Sequence, residues 1–223
     1  MDALQEVIDK TGFITINQRK SAGSTISRSG HLKTSVQQGG LYRFTVGAPQ
    51  GLTYSTNREL LTGLDVLDVT VSSNVSIGND GTQKLDYITK YQGGITNSSY
   101  GINGLTLNGF SGSTLYIDAT NISAGSGTMF KVGDFLQPHG NTQTYKYPYQ
   151  VTTEVAYSTS SNVHVQVNRP IIDQPGVSLT SGGLRLGREV YFNLTCLQNP
   201  TYSVVPYDLI EFTGDFELME TII

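Results

Sequence analysis

The sequence predicts a mainly β protein: a β-sandwich with one flanking helix, and a second, small β-barrel or sandwich module inserted into it. Three observations predict this class. Only 14% of the 223 residues are charged and 25 are glycine. Ser, Thr, Asn, Gln and Gly make up the deficit, a composition that suits short strands and polar turns and argues against a helical bundle. Apolar and polar residues alternate with period two in segment after segment. Finally, a central stretch carries strand signals alone, and longer strands return after it. Residues 1–94 and 181–223 are therefore expected to form one sandwich, with residues 95–180 as the inserted module.

From Asp2 to Lys10, Leu4, Val7 and Ile8 recur at helical spacing, with acids at the front. This is a short helix that Thr11-Gly12 stops. Gly12 to Arg19 alternates, with Phe13, Thr15 and Asn17 on one face and Ile14 and Ile16 on the other. Residues 20–40 set Lys20, Arg28, His31 and Lys33 among Ser, Thr and Gly, with few apolar anchors. Such a segment reads as a long exposed excursion, a hairpin arm ordered by a neighbouring subunit. Leu41 to Val46 is an alternating strand ended by Gly47-Ala48-Pro49. Thr56-Asn57-Arg58-Glu59 then has the form of a capping box. It precedes Leu60, Leu61, Leu64 and Leu67, one apolar stripe of a helix reaching about Asp68. Val69-Thr70-Val71 turns to strand character, and Asn79-Asp80-Gly81 is a hairpin-type turn.

Gly93 to Ser99 reads as a linker into the inserted module. Four strands are expected there: Ser113–Asp118, Met129–Gln137 with a Gly-Asp kink, Tyr147–Val155, and Asn162–Val167, which ends at Asn168-Arg169-Pro170. The glycine-rich stretches 109–113 and 124–127 read as turns. Four or five short strands suit a small barrel or sandwich. If the module is separable, limited proteolysis of the chain cuts first near 93–103 or 173–183. The tail holds strands at Glu189–Cys196 and Ser203–Val205, then one long strand, Asp208–Glu220. In the last, Ile210, Phe212, Phe216 and Leu218 share one face, and Glu211, Asp215 and Glu217 the other.

Several function classes fall away. No apolar run approaches the ~18 residues of a membrane helix. Met1 to Glu6 is acidic, with no basic region followed by an apolar one, so no secretory signal is expected. The single cysteine, Cys196, builds neither a disulfide framework nor a four-ligand zinc site, and on a strand it reads as a small core residue. A net charge of −4 argues against a groove that grips nucleic acid through many phosphates. The sequons at Asn74, Asn97, Asn121 and Asn193 are as many as chance supplies in so Asn-, Ser- and Thr-rich a chain. Low charge also fits a surface partly covered by other subunits.

No catalytic residue, cofactor site or metal site is assigned. His31, His139 and His164 share no ligand spacing; His164 lies mid-strand and His139 in a turn-like Pro-His-Gly. No nucleophile elbow, phosphate loop or dinucleotide fingerprint occurs, and Asn79-Asp80-Gly81 lacks the remaining positions of a calcium loop. Asp208, Glu211, Asp215, Glu217 and Glu220 read as a solvated acidic face, or as the lining of an interior that repels anions. Tyr145, Tyr147, Tyr149 and Tyr157 read as strand packing, with a sugar-stacking platform as the alternative. A carbohydrate- or receptor-binding β protein is thus the second reading, and an enzyme is not expected.

Three segments in order resemble a pattern of tail and baseplate proteins of tailed bacteriophages. They are Phe130-Lys131-Val132-Gly133-Asp134-Phe135-Leu136-Gln137-Pro138, Tyr147-Pro148-Tyr149-Gln150-Val151-Thr152 and Val165-Gln166-Val167-Asn168-Arg169-Pro170-Ile171. The Gly12–Val46 run with the Leu60–Leu67 stripe is similar to the beginning of such proteins. Tyr202-Ser203-Val204-Val205-Pro206 and Phe212 to Glu217 are similar to their end. The resemblance implies a tail-tube-like sandwich of the distal tail protein kind. Such a protein forms a ring, hexameric in that family, between the tail tube protein and the baseplate hub and its other subunits. DNA only passes through the lumen, no membrane is involved, and assembly takes place in the bacterial cytoplasm before the protein resides in the virion. No catalytic residues belong to that pattern.

Overall fold

The computed structural model describes residues 2–19, 22–26, 32–36, 40–67, 69–78, 85–95, 104–122, 125–139, 147–172 and 183–222. Antiparallel sheets dominate it, with two short helices, an arrangement consistent with a generic β-sandwich. The expected turn at Asn79-Asp80-Gly81, most of the expected linker (96–99), Lys20, Arg28, His31, Asn97 and Tyr145 lie outside the described residues.

The first part of the chain runs α1 (Ala3–Lys10), β1 (Ile14–Arg19), β2 (Ala22–Ile26), β3 (Leu32–Val36), β4 (Leu41–Val46), α2 (Arg58–Asp65) and β5 (Ser72–Val75). The Asp2 carboxylate caps α1 by accepting the Leu4 N–H at 3.0 Å. The capping box expected for α2 does not form, because the helix starts one residue later, with Asn57 as N-cap. The Asn57 Oδ1 accepts from the Lys10 ammonium at 2.7 Å, and its amide donates to the Thr53 carbonyl at 2.8 Å. No side-chain oxygen is left for the helix. The apolar stripe still buries Leu60, Leu61 and Leu64, while Leu67 falls beyond the last turn.

β1 and β4 pair from Ile14↔Val46 to Arg19↔Leu41. The same two segments then continue as β2 and β3, paired from Ala22↔Val36 to Ile26↔Leu32. The chain thus builds a hairpin whose outer half stands beyond the main sheet, where the sequence placed an exposed excursion.

The second part runs β6 (Thr106–Ser111), β7 (Thr114–Asp118), β8 (Thr128–Phe130), β9 (Phe135–His139), β10 (Tyr149–Gln150), β11 (Val155–Ala156), β12 (Val163–Gln166) and β13 (Gly183–Leu186). Six of these strands form one sheet in the order β10-β9-β13-β6-β7-β12. Several expectations change here. The 129–137 strand is two strands, because the Gly-Asp kink is a fixed turn. The Asp134 carboxylate accepts from the Lys131 N–H at 2.9 Å and from the Gln92 N–H at 2.8 Å. The 147–155 strand is reduced to the short β10 and β11. Residues 109–111, read as turn, are strand with a bulge, and the turn itself is Gly112-Ser113. His139, read as a turn residue, ends β9 and is half-buried. β13 had no sequence signal, and it carries this sheet past residue 180 through its pairing with β9.

Gly93 to Ile95 is docked backbone. The Gly94 N–H donates to the Thr128 carbonyl at 2.6 Å, and Ile95 bridges Gly125. A Cβ at Gly94 would lie 2.0 Å from the Ser126 carbonyl oxygen, which is why glycine stands there. The first proteolytic cut is accordingly expected beyond Ile95.

The third part runs β14 (Phe192–Gln198), β15 (Thr201–Val205), β16 (Leu209–Thr213) and β17 (Phe216–Glu220). The expected single strand 208–220 is two. It breaks at Gly214, whose φ of 96° a side chain would resist. β16 forms a hairpin with β15, whereas β17 enters the first sheet, giving the order β1-β4-β17-β14-β5. The last strand therefore lies between an N-terminal strand and β14. One face of this sheet, with Tyr42, Phe44, Phe192, Leu194, Phe216 and Leu218, packs in one core with Leu4 and Val7 of α1 and Leu60 and Leu64 of α2. A second core is drawn from residues 95–186.

Candidate assembly surface

The two cores meet across a buried polar seam. Arg169 follows β12 and Glu220 ends β17, yet their side chains are 1% and 0% exposed and form a two-pronged ion pair. The Arg169 Nη2 donates to one Glu220 oxygen at 2.6 Å and to the Pro148 carbonyl at 2.8 Å. The Tyr42 N–H donates to the other Glu220 oxygen at 3.2 Å. The guanidinium lies 5.1 Å from the ring centroids of Tyr42 and Tyr149. Burial alone would lower the Arg169 pKa; the hydrogen bonds and charge of Glu220 outweigh it and raise it. Asn168 extends the seam, donating to the Tyr42 hydroxyl at 2.7 Å and to Gln18 at 3.0 Å. The side-chain amide of Gln137 clasps the Tyr191 backbone in both directions, at 2.8 and 3.0 Å. Phe135 of β9 inserts its ring into the first core, 5.7 Å from Phe192.

This seam was not anticipated from the sequence. Its signal was present in parity: Glu220 falls in step with Phe216 and Leu218, not with Glu211, Asp215 and Glu217, so it had to point into the core. The phenols of Tyr42 and Tyr149 are both pushed up to about 12, by burial first. A raised folded pKa means that stability is complete below the unfolded value near 10 and falls as pH rises through 12. The denaturant midpoint is expected to drop across that window. The limit is about 2–3 kcal/mol per phenol, and Tyr42→Phe should remove a share of the slope. A midpoint flat from pH 10 to 12 would contradict the seam's burial.

The acids expected on one face are dispersed. Asp208 fixes a hairpin tip, accepting from the Ser55 N–H at 2.9 Å and from the Ser55 hydroxyl. Glu211 is exposed on β16, Asp215 sits in the turn after it, Glu217 lies on the first sheet opposite the core, and Glu220 is buried. The break at Gly214 puts Glu211 and Glu217 on different sheets, and the parity of Glu220 turns it into the core. Of the tyrosines, Tyr147 and Tyr149 are core residues and Tyr157 packs against that core, so they form no open stacking platform. His164 is exposed, its ring 4.9 Å from that of Tyr116. Asn193 is buried, which leaves its sequon no room for a glycan.

Cys196 is buried, and its thiol donates to the Asn199 Oδ1 at 2.8 Å. Burial pushes its pKa up to about 11, so it is a poor nucleophile. Thiol reagents at neutral pH are expected to label it only on unfolding; labelling of the native protein at the rate of a free thiol would refute the assignment. Among the described residues no cluster of three or more His, Cys, Asp or Glu is placed to hold a metal ion.

What the surface offers instead is contact. The β2–β3 arm ends in Ile26, 74% exposed. The β15–β16 hairpin presents Val204, Leu209 and Tyr207, the last 95% exposed and held at a φ of 70°. Beside that hairpin lies a cleft of about 350 Å³, between the loop 48–51 and residues 210–215. Phe13, Pro49, Ile210 and Phe212 supply apolar walls, and Glu211 and Asp215 supply carboxylates. The Phe212 ring continues to Phe216 of the core, 6.2 Å between centroids. The cleft thus sets apolar walls beside two carboxylates. No protein-family model matches the chain, and no curated protein matches it.

Proposed function

We propose that this chain is a structural subunit of the tail or baseplate of a tailed bacteriophage. It assembles with copies of itself into a ring, hexameric as in the distal tail proteins it resembles. The ring joins the tail tube protein to the baseplate hub and leaves a channel for DNA. The observation that carries this reading is the hairpin arm, β2–β3, which continues β1 and β4 beyond the five-stranded sheet. Strands built outside their own sheet suit pairing with a neighbouring subunit, and a closed ring would use up the free edge of β1. The low share of charged residues supports burial of surface in an assembly. The acids of 208–220 form no single face, so the repulsion of phosphate in the channel rests on the net charge of −4.

Negative-stain images of the purified protein, with its mass in solution, test this reading. Rings about as wide as a tail tube are expected. A protein that remains a monomer or small oligomer and is retained on a glycan column would favour the carbohydrate-binding alternative. Amide exchange adds a second check, since residues 22–26 and 32–36 are expected to exchange fast in dilute monomer and to be protected on assembly. Equal protection in both states would count against the arm.

A further inference from the structure

β6, β7 and β12 are neighbours in the six-stranded sheet. Leu107, Leu115, Ile117, Val163 and Val165 belong to the second core, so the residues between them face the other way. Tyr116 pairs with Gly109 on one side and with His164 on the other, which sets the three in one row across the strands. The bulge between Leu107 and Gly109 gives this row an extra residue, the exposed Asn108. A Cβ at Gly109 would lie 3.7 Å from the Tyr116 ring, an ordinary contact, so no clash requires glycine there. Its effect is to leave bare backbone beside an aromatic ring. The His164 ring stands on the far side of Tyr116, 4.9 Å between centroids. The polar side chains around the row are held in place. The Asn108 amide donates to the Ser161 carbonyl at 2.6 Å, and the Gln166 amide donates to the Thr114 hydroxyl at 2.8 Å. The side-chain carbonyl oxygens of Asn108 and Gln166 accept no hydrogen bond from a described residue, so two oriented acceptors remain for a ligand.

Charge and apolar content narrow the ligand. Residues 91–130 and 155–168 contain no Lys or Arg, and Asp118 is their single acid. An anionic partner therefore finds no cation on this face. Among the described residues, every exposed large apolar side chain lies off these three strands. The face thus lacks the apolar centre that a protein interface needs. What it offers suits a flat, uncharged molecule with C–H groups on one side and hydroxyls at its rim. We propose that the β6–β7–β12 face binds a neutral glycan. A sugar ring lies over Gly109 with its C–H groups against the negative face of Tyr116, and its hydroxyls meet Asn108, His164 and Gln166. The site stands independently of the ring reading. In a ring it would be repeated once per subunit, so that weak single contacts add through avidity.

Saturation-transfer NMR on the full-length protein tests it, with neutral hexasaccharides of glucose, galactose and N-acetylglucosamine as probes. At least one probe should receive saturation at its ring C–H protons. Tyr116→Ala should weaken that binding roughly tenfold or more, as removal of a central aromatic contact does. Gly109→Val should do the same with the melting temperature near that of wild type, because its side chain covers the bare backbone. Tyr87→Ala removes a ring that is 63% exposed elsewhere on the chain, and it should leave binding unchanged. A hexasaccharide of glucuronic acid should bind more weakly than the neutral probe. Three results would each overturn the proposal: no binding of any neutral probe, equal binding by wild type and folded Tyr116→Ala, or tighter binding of the anionic probe. So would amide protection of residues 106–118 that arises only on assembly, since the face would then be a subunit contact. None of these results counts against the ring, which the negative-stain images judge separately.

Discussion

Replacing Arg169 with Met should destabilise the protein by about 3–5 kcal/mol, far more than its position after a short strand suggests. The loss does not measure the strength of the ion pair. It measures what remains: Glu220, 0% exposed, would keep a charge in a dry site with only the Tyr42 N–H to answer it. For a chain of this size the melting temperature should fall by roughly 6–20 °C. Adding Glu220→Gln removes the stranded charge and keeps an acceptor for the Tyr42 N–H. The double variant should therefore recover about 1–3 kcal/mol of the loss, a coupling expected of residues in one network. The wild-type pair is not ideal in any case, since the Arg169 Nε is buried without a hydrogen-bond partner. A double variant as unstable as the sum of the two single changes would show that Arg169 matters through packing on Tyr42 and Tyr149 and not through its charge.

The seam marks the boundary of what the sequence made legible. Local signals were read well where one face of an element is buried by its own neighbours. The Leu4, Val7 and Ile8 spacing gave α1, the Leu41–Val46 alternation gave β4, and Val163–Gln166 appeared where the alternation placed it. The capping box failed because the helix starts one residue later than Thr56 requires, and a distant residue, Lys10, holds the oxygen of the actual N-cap, Asn57, which no local pattern reveals. β13 went unread because Gly183-Leu184-Arg185-Leu186 is only four residues long, and its strand character comes from pairing with β9. The 208–220 segment was read as continuous because Gly214 keeps the parity intact across the break. Ile210 and Phe216 are both buried, but they belong to different sheets. Beyond the main sheet, the β2–β3 hairpin was legible in composition as an excursion. The cleft was not, since its walls come from segments about 160 residues apart in sequence.

Phe216→Ala should cost about 3–5 kcal/mol, the usual range for emptying a buried aromatic site. Phe216 is 0% exposed and opens β17, paired with Val46 across β4. Its ring touches Phe212, and it belongs to the core that α2 closes with Leu60 and Leu64. Little can move to fill the space, because the sheet on one side and the helices on the other are fixed by their own packing. Glu217 is the next residue and points the other way, to the polar side of the sheet, across from Thr45. Glu217→Gln should change stability by no more than about 0.5 kcal/mol. The pair therefore tests the face assignment with two adjacent positions and one measurement, the denaturant midpoint. Equal stability losses at the two positions would overturn the assigned faces.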